Sequence, residues 1–190
     1  MAGSFLYHTG FQVIREPDIS VGRKNADFGQ GFYLSDNEEF SLRWARTRRG
    51  SETYLNIYRV DYSGLNIKRF SRDEEWFEYI FANRAGRPDL LAEYDVIVGP
   101  IANDTIYDTW GIITSGLITT RQALSVLTKG PLYEQTVVKT QKALSQLSFD
   151  SSRVLPAEEI GKYRDAVREE EAAYQQMIAS RLGDLSELLG

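Results

Sequence analysis

With 190 residues, 42% of them hydrophobic, the chain can bury one full core and is too short for two ordinary domains. It has no cysteine, which excludes disulfides, thiolate nucleophiles and cysteine-ligated metal. A net charge of −5 argues against general nucleic-acid binding, and neither a basic-then-apolar leader nor a membrane-length apolar run is visible, so a cytoplasmic protein away from the membrane is expected.

Strand signals open the chain. Phe5-Leu6-Tyr7-His8 is a short apolar run ended by Thr9-Gly10, and Phe11-Gln12-Val13-Ile14 follows before the break at Pro17-Asp18. Phe28-Gly29-Gln30-Gly31-Phe32-Tyr33-Leu34 reads as a strand with glycines at its entrance. Ser35 or Asp36 then caps a helix that carries Phe40 and Trp44 on one face. Arg43, Arg46, Arg48 and Arg49 cluster before Gly50. They suit a solvated helix end, or else a patch that meets phosphates or an acidic partner.

Residues 54 to 62 are rich in aromatic and β-branched side chains and predict a strand. Asp73-Glu74-Glu75 predicts a helix start, with Trp76, Phe77, Ile80 and Phe81 as its apolar stripe and Gly86 as its stop. Residues 94 to 98 form a compact buried strand before Gly99-Pro100, a short helix begins at Thr119 or Thr120, and residues 135 to 139 form a further strand. Composition shifts near Asp150, and Ile160, Tyr163, Val167, Tyr174, Ile178, Leu182 and Leu185 then recur at helical spacing. The expected architecture is an α+β domain over residues 1–150 and an amphipathic helical extension over 151–190, with Asp150 to Arg153 as a polar hinge.

Three segments carry the chemistry. Leu6 to Gly10 places the chain's one histidine, His8, at the end of the opening strand. Asp27 to Ser35 sets glycines, which let a backbone approach a ligand, just before a tyrosine ring at Tyr33. Leu132 to Val138 is a late strand with the polar pair Glu134-Gln135 at its mouth. Each segment alone is equally a structural feature: a satisfied core histidine, a glycine turn, an edge strand.

In this order the three resemble the His-Tyr-Glu class of ADP-ribosyltransferases, and more closely an uncharacterised bacterial family of that superfamily. Further runs that fit it are Gly22-Arg23-Lys24-Asn25-Ala26-Asp27-Phe28-Gly29, residues 94–104 and residues 139–144. The resemblance covers roughly residues 5 to 150. It implies a split β-sandwich with NAD⁺ in the cleft between two sheets and no metal. His8 would bond the ribose on the nicotinamide side, Tyr33 would stack on the nicotinamide, and Thr9 would offer its backbone to the carboxamide. Gly10, Arg23 and Gly31 complete the implied cofactor contacts, and Gln135 takes the third catalytic position.

Two departures stand out. Gln135 replaces the usual glutamate, and a neutral amide bonds a hydroxyl but removes no proton, where general-base help is worth about 10²–10⁴-fold. Glu134 is adjacent, but strand alternation turns it to the other face. If Gln135 only bonds a ribose hydroxyl, Gln135→Glu is expected to preserve or raise turnover. Thr9 stands where glycine is usual, and its Cβ is expected to narrow the pocket. The implied activity is mono-ADP-ribosyl transfer from NAD⁺ to a macromolecule, in a bacterial toxin or defence setting with an antitoxin or other protein partner. The alternatives are a catalytically weak or silent NAD⁺ or ADP-ribose binder, and an NAD⁺ glycohydrolase.

Overall fold

The computed structural model describes residues 4–102 and 133–189, with side chains as far as Ala173 and at Gln176 and Ser180 beyond it. The helix expected near Thr119 lies outside the described residues. Sheet A is antiparallel, in the order β1 (Ser4–Gly10), β3 (Tyr54–Val60), β7 (Leu147–Val154). Sheet B runs β2 (Phe32–Leu34), β6 (Glu134–Val138), β5 (Val96–Pro100), β4 (Ile67–Arg69), with only the β4–β5 pair parallel. The two sheets meet at a bridge, where Tyr7 and Ser35 exchange backbone hydrogen bonds of 2.8 and 3.0 Å.

Strand alternation sorts the core into layers. Leu6, Tyr58 and Val60 of sheet A face Phe32, Leu34, Val96, Val98 and Val138 of sheet B. Ile97 and Val137 point out of the other face of sheet B, onto Trp76, Phe77 and Ile80 of helix α2 (Glu74–Arg84). Leu55 leaves the outer face of sheet A and meets Leu42 of helix α1 (Glu38–Arg43) and Ile160 of helix α4 (Ala157–Leu189). Each such side chain contributes about 1.5–3 kcal/mol when fully buried. The result is an α+β fold of two sheets with flanking helices and a C-terminal helix. Among the described residues no helix is long and apolar enough to cross a membrane.

The helices begin where capping chemistry allows. Asp73 accepts from Trp76 N at 3.0 Å, with Glu74 and Glu75 in the first turn of α2. Thr140 accepts from Ala143 N at 3.2 Å to start α3 (Gln141–Ser145). Helix α1 is capped by Asn37, which accepts from Phe40 N at 2.9 Å, and not by Ser35 or Asp36. Ser35 is committed to the bridge with Tyr7.

Three other expectations are corrected. Residues 11 to 14 are not a strand, because β3 side chains satisfy their backbone. Asn56 bonds Ile14 N at 3.0 Å and Gln12 O at 3.1 Å, and Tyr58 bonds Ile14 O at 2.7 Å. Residues 28 to 31 stay out of β2, because Gly29 adopts φ 74°, which breaks the extended run. The polar stretch from Asp150 to Arg153 is no hinge: it lies inside β7, paired to β3 by main-chain bonds that need no apolar side chain.

Candidate functional site

His8 lies near the end of β1 on the same face as Leu6, with its ring centroid 4.7 Å from that of Phe32. Its Nδ1 is 2.8 Å from Tyr33 O. A carbonyl only accepts, so Nδ1 carries the proton and Nε2 is left as an acceptor. Burial lowers the His8 pKa below 6.5, partly offset by the Tyr33 carbonyl, so the ring is neutral at pH 7. A Cβ on Gly10 would sit 3.4 Å from Nε2, so glycine there keeps a side chain off that nitrogen. A neutral imidazole whose acceptor nitrogen has no partner among the described residues can take a hydrogen bond from a hydroxyl.

Tyr33 projects from the opposite face of β2 to Phe32 and Leu34, against the layer that holds Phe28 and Val137. Its hydroxyl donates to Gly29 O at 2.7 Å and accepts from Phe28 N at 3.0 Å. Burial raises its pKa, chiefly opposed by the Phe28 N–H bond and least by the positive charge of Arg23. The Gly22 backbone packs directly on that of Gly31, and the next residue, Arg23, is exposed. The Tyr33 loop has a buried anchor behind it. Lys139 Nζ donates to Phe28 O at 2.8 Å and to Tyr79 Oη at 3.2 Å, and pairs with Asp89.

Gln135 follows from the register of β6. Tyr33 pairs with Val137, so Gln135, two residues away, shares the Tyr33 face, while exposed Glu134 turns to the other. Gln135 Nε2 donates to Asp27 Oδ2 at 3.3 Å, and Arg84 Nε donates to Asp27 Oδ1 at 2.5 Å. A carboxylate, that of Asp27, therefore stands beside Gln135, on the loop before β2.

Thr9 does not crowd this group. Its hydroxyl bonds Ser41 O of α1 at 3.2 Å, because alternation sends it to the α1 side of sheet A. There Thr9, Gly10, Phe11, Trp44, Ala45, Arg46 and Thr53 line a recess of about 60 Å³. A larger cavity of about 540 Å³ lies along α2 and includes Phe81, Arg87 and Leu91, but none of the residues singled out in the sequence as site residues. Chemistry, and not volume, selects the His8 region. Gly31 has a packing reason to be glycine, since a Cβ there would lie 2.6 Å from Val137 Cγ1 and 2.7 Å from Val138 O.

The arginine cluster disperses. Arg46 donates to Arg43 O at 2.9 Å and Ala45 O at 3.0 Å, which is the expected helix-end role. Arg43 instead makes two bonds to Glu170, of 2.5 and 2.9 Å, and lies over the Tyr133 ring. Sequence reasoning missed Asp27 and Arg84 as site residues. Asp27 stood inside the quoted motif, whereas Arg84 offered no signal at the end of an apolar stripe.

Residues 5–149 match the model of the DUF3990 family, described as a protein of unknown function, and the chain belongs to that family. Comparison with curated proteins and with solved structures gave no match.

Proposed function

We propose that this DUF3990-family protein holds NAD⁺ across His8 and Tyr33 and transfers its ADP-ribose to a macromolecular acceptor. One observation carries the reading. A neutral histidine acceptor bonds the main chain of Tyr33, and Tyr33 and Gln135 share one face of two paired strands beside the bridge between the sheets.

His8 Nε2 accepts a ribose hydroxyl, the Tyr33 ring packs on the nicotinamide, and Gln135 bonds a second hydroxyl. The bond from ribose C1′ to the nicotinamide nitrogen breaks and its electron pair leaves with neutral nicotinamide. The acceptor's nucleophile bonds C1′ and gives its proton to solvent. Positive charge builds on the ribose along the way, so holding the reactants in line is what the side chains contribute. Thr9 and Gly10 follow His8 and offer backbone groups to the carboxamide, and Arg23 brings positive charge towards the phosphates. Extension into a polymer calls for an acceptor-activating carboxylate at position 135, so the product is a single ADP-ribose. The resemblance extends the proposal to a bacterial toxin or defence effector restrained by a protein partner.

A second reading, NAD⁺ or ADP-ribose binding without turnover, is favoured by the neutral Gln135. The experiment is incubation with labelled NAD⁺ and cell extract, with calorimetry alongside. Label on a macromolecule with release of nicotinamide is expected. Binding without either supports the second reading, nicotinamide release without macromolecular label supports hydrolysis, and no NAD⁺ binding at millimolar ligand overturns all three.

A further inference from the structure

We infer that Asp27 is the positioning residue of this site: it turns the Gln135 amide so that Oε1, and not the NH₂ group, is offered to a hydroxyl of the ligand. That the hydroxyl belongs to the ribose of NAD⁺ rests on the reading above; the orientation rests on geometry.

Asp27 receives Arg84 Nε on one carboxylate oxygen at 2.5 Å and Gln135 Nε2 on the other at 3.3 Å, and the Asp27 and Arg84 side chains are only 13% and 10% exposed. Both carboxylate oxygens thus take N–H donors, one from the guanidinium and one from the amide. Gln135 must meet it through its NH₂ group, because the flipped amide would set oxygen against oxygen. Asn83 Nδ2 also bonds Asp27 O at 3.1 Å and holds the backbone beneath the carboxylate. The grip thus comes from three elements: the loop before β2, the end of α2, and β6.

With Nε2 committed, Oε1 is the remaining acceptor of the amide, and among the described residues nothing donates to it. It accepts a hydroxyl hydrogen in the same sense as a glutamate would, and takes no proton away. The site therefore keeps the hydroxyl-binding half of a carboxylate's work. This reverses the simple expectation for Gln135→Glu, which would place a second carboxylate against Asp27.

The test uses Asp27→Asn, Gln135→Glu and the double variant in the full-length protein. Repulsion from Asp27 raises the folded pKa of the carboxyl introduced by Gln135→Glu. Its contribution is therefore favourable below the unfolded value near 4.3 and is lost as pH rises through the folded value. Gln135→Glu should accordingly lose thermal stability relative to wild type between pH 5 and about pH 8. The double variant restores one acid facing one amide and should lose that pH dependence. In turnover assays Asp27→Asn should raise KM for NAD⁺ about tenfold, the size of one lost hydrogen bond, with partial rescue in the double variant. An unchanged pH–stability profile in Gln135→Glu, or a double variant no better than its parents, overturns the inference. Absence of NAD⁺ binding and turnover in wild type would instead remove the ribose reading, while the pH–stability arm still decides the orientation.

Discussion

Tyr33 joins recognition to stability in one side chain. Its ring, packed on the Phe28 and Val137 layer, is the one proposed to meet the nicotinamide, while its hydroxyl closes the loop through Gly29 O and Phe28 N. Tyr33→Phe keeps the ring and strands those two groups, so it should cost about 1–3 kcal/mol in denaturant unfolding. NAD⁺ affinity measured by calorimetry should fall less in Tyr33→Phe than in Tyr33→Ala, and equal losses would show that the ring makes no stacking contact. His8 supplies a pH signature. Its folded pKa lies below the ordinary 6.5, so its contribution to stability is full above that value and is lost as pH falls through the folded one. Melting temperature should therefore begin to fall below about pH 6.5, before the carboxylates titrate. In His8→Gln that early slope should vanish, and its persistence would place the titrating group elsewhere.

At the scale of elements, the β2–β6 pair is built on a close approach. Gly31→Ala would press a methyl against both Val137 Cγ1 and Val138 O. A cost of about 1–3 kcal/mol in chemical denaturation is expected. Adding Val137→Ala should not restore it, because the carbonyl of Val138 cannot retreat without breaking the β2–β6 pairing. Full rescue would show that the side chain alone sets the limit. Just past the same end of β6, Asp95 ties neighbouring elements together. It accepts from Thr140 Oγ1 at 2.6 Å, Asn66 N at 2.9 Å and Lys142 Nζ at 2.9 Å. The Thr140 bond leads the causes that hold its pKa at about 2, against an ordinary 3.8. Its contribution to stability is present above 3.8 and lost as pH falls towards 2. Asp95→Asn should be less stable at neutral pH and lose less stability on acidification, read from urea midpoints across that window.

For the whole molecule, the question is how much of helix α4 the fold needs. Leu155 and Ile160 are buried with Leu42 and Leu55, and Tyr163 packs on the same cluster. Glu170 reaches Arg43, and Glu159 pairs with Arg153 of β7. Beyond Glu170, Glu171, Ala172, Ala173, Gln176 and Ser180 are exposed. Truncation after residue 171 should keep the melting temperature within a few degrees of wild type. Removal of residues 156–190 uncovers the Leu55 cluster and should cost about 3–5 kcal/mol, comparable to deleting one or two large core side chains. Equal stability of the two truncations would show that α4 is only an appendage.

Much of the fold was written locally. Capping residues and acidic first turns marked α2, aromatic and β-branched richness marked β3, short apolar or β-branched runs marked β5 and β6, and helical spacing marked α4, because those signals act through the backbone within a few residues. The register that put Gln135 on the Tyr33 face and Glu134 on the other was legible for the same reason, since side chains alternate along a strand. Other features had no local signature. Strand β7 is polar and is held by main-chain bonds to β3, so composition near residue 150 misread it as a hinge. Residues 11 to 14 look like a strand, yet Asn56 and Tyr58, more than forty positions away, take their backbone groups. The grip of Asp27 on Gln135 joins a loop, a helix end and a strand. Which end of an amide faces a ligand depends on what stands behind it, and only the packing of those three elements decides that.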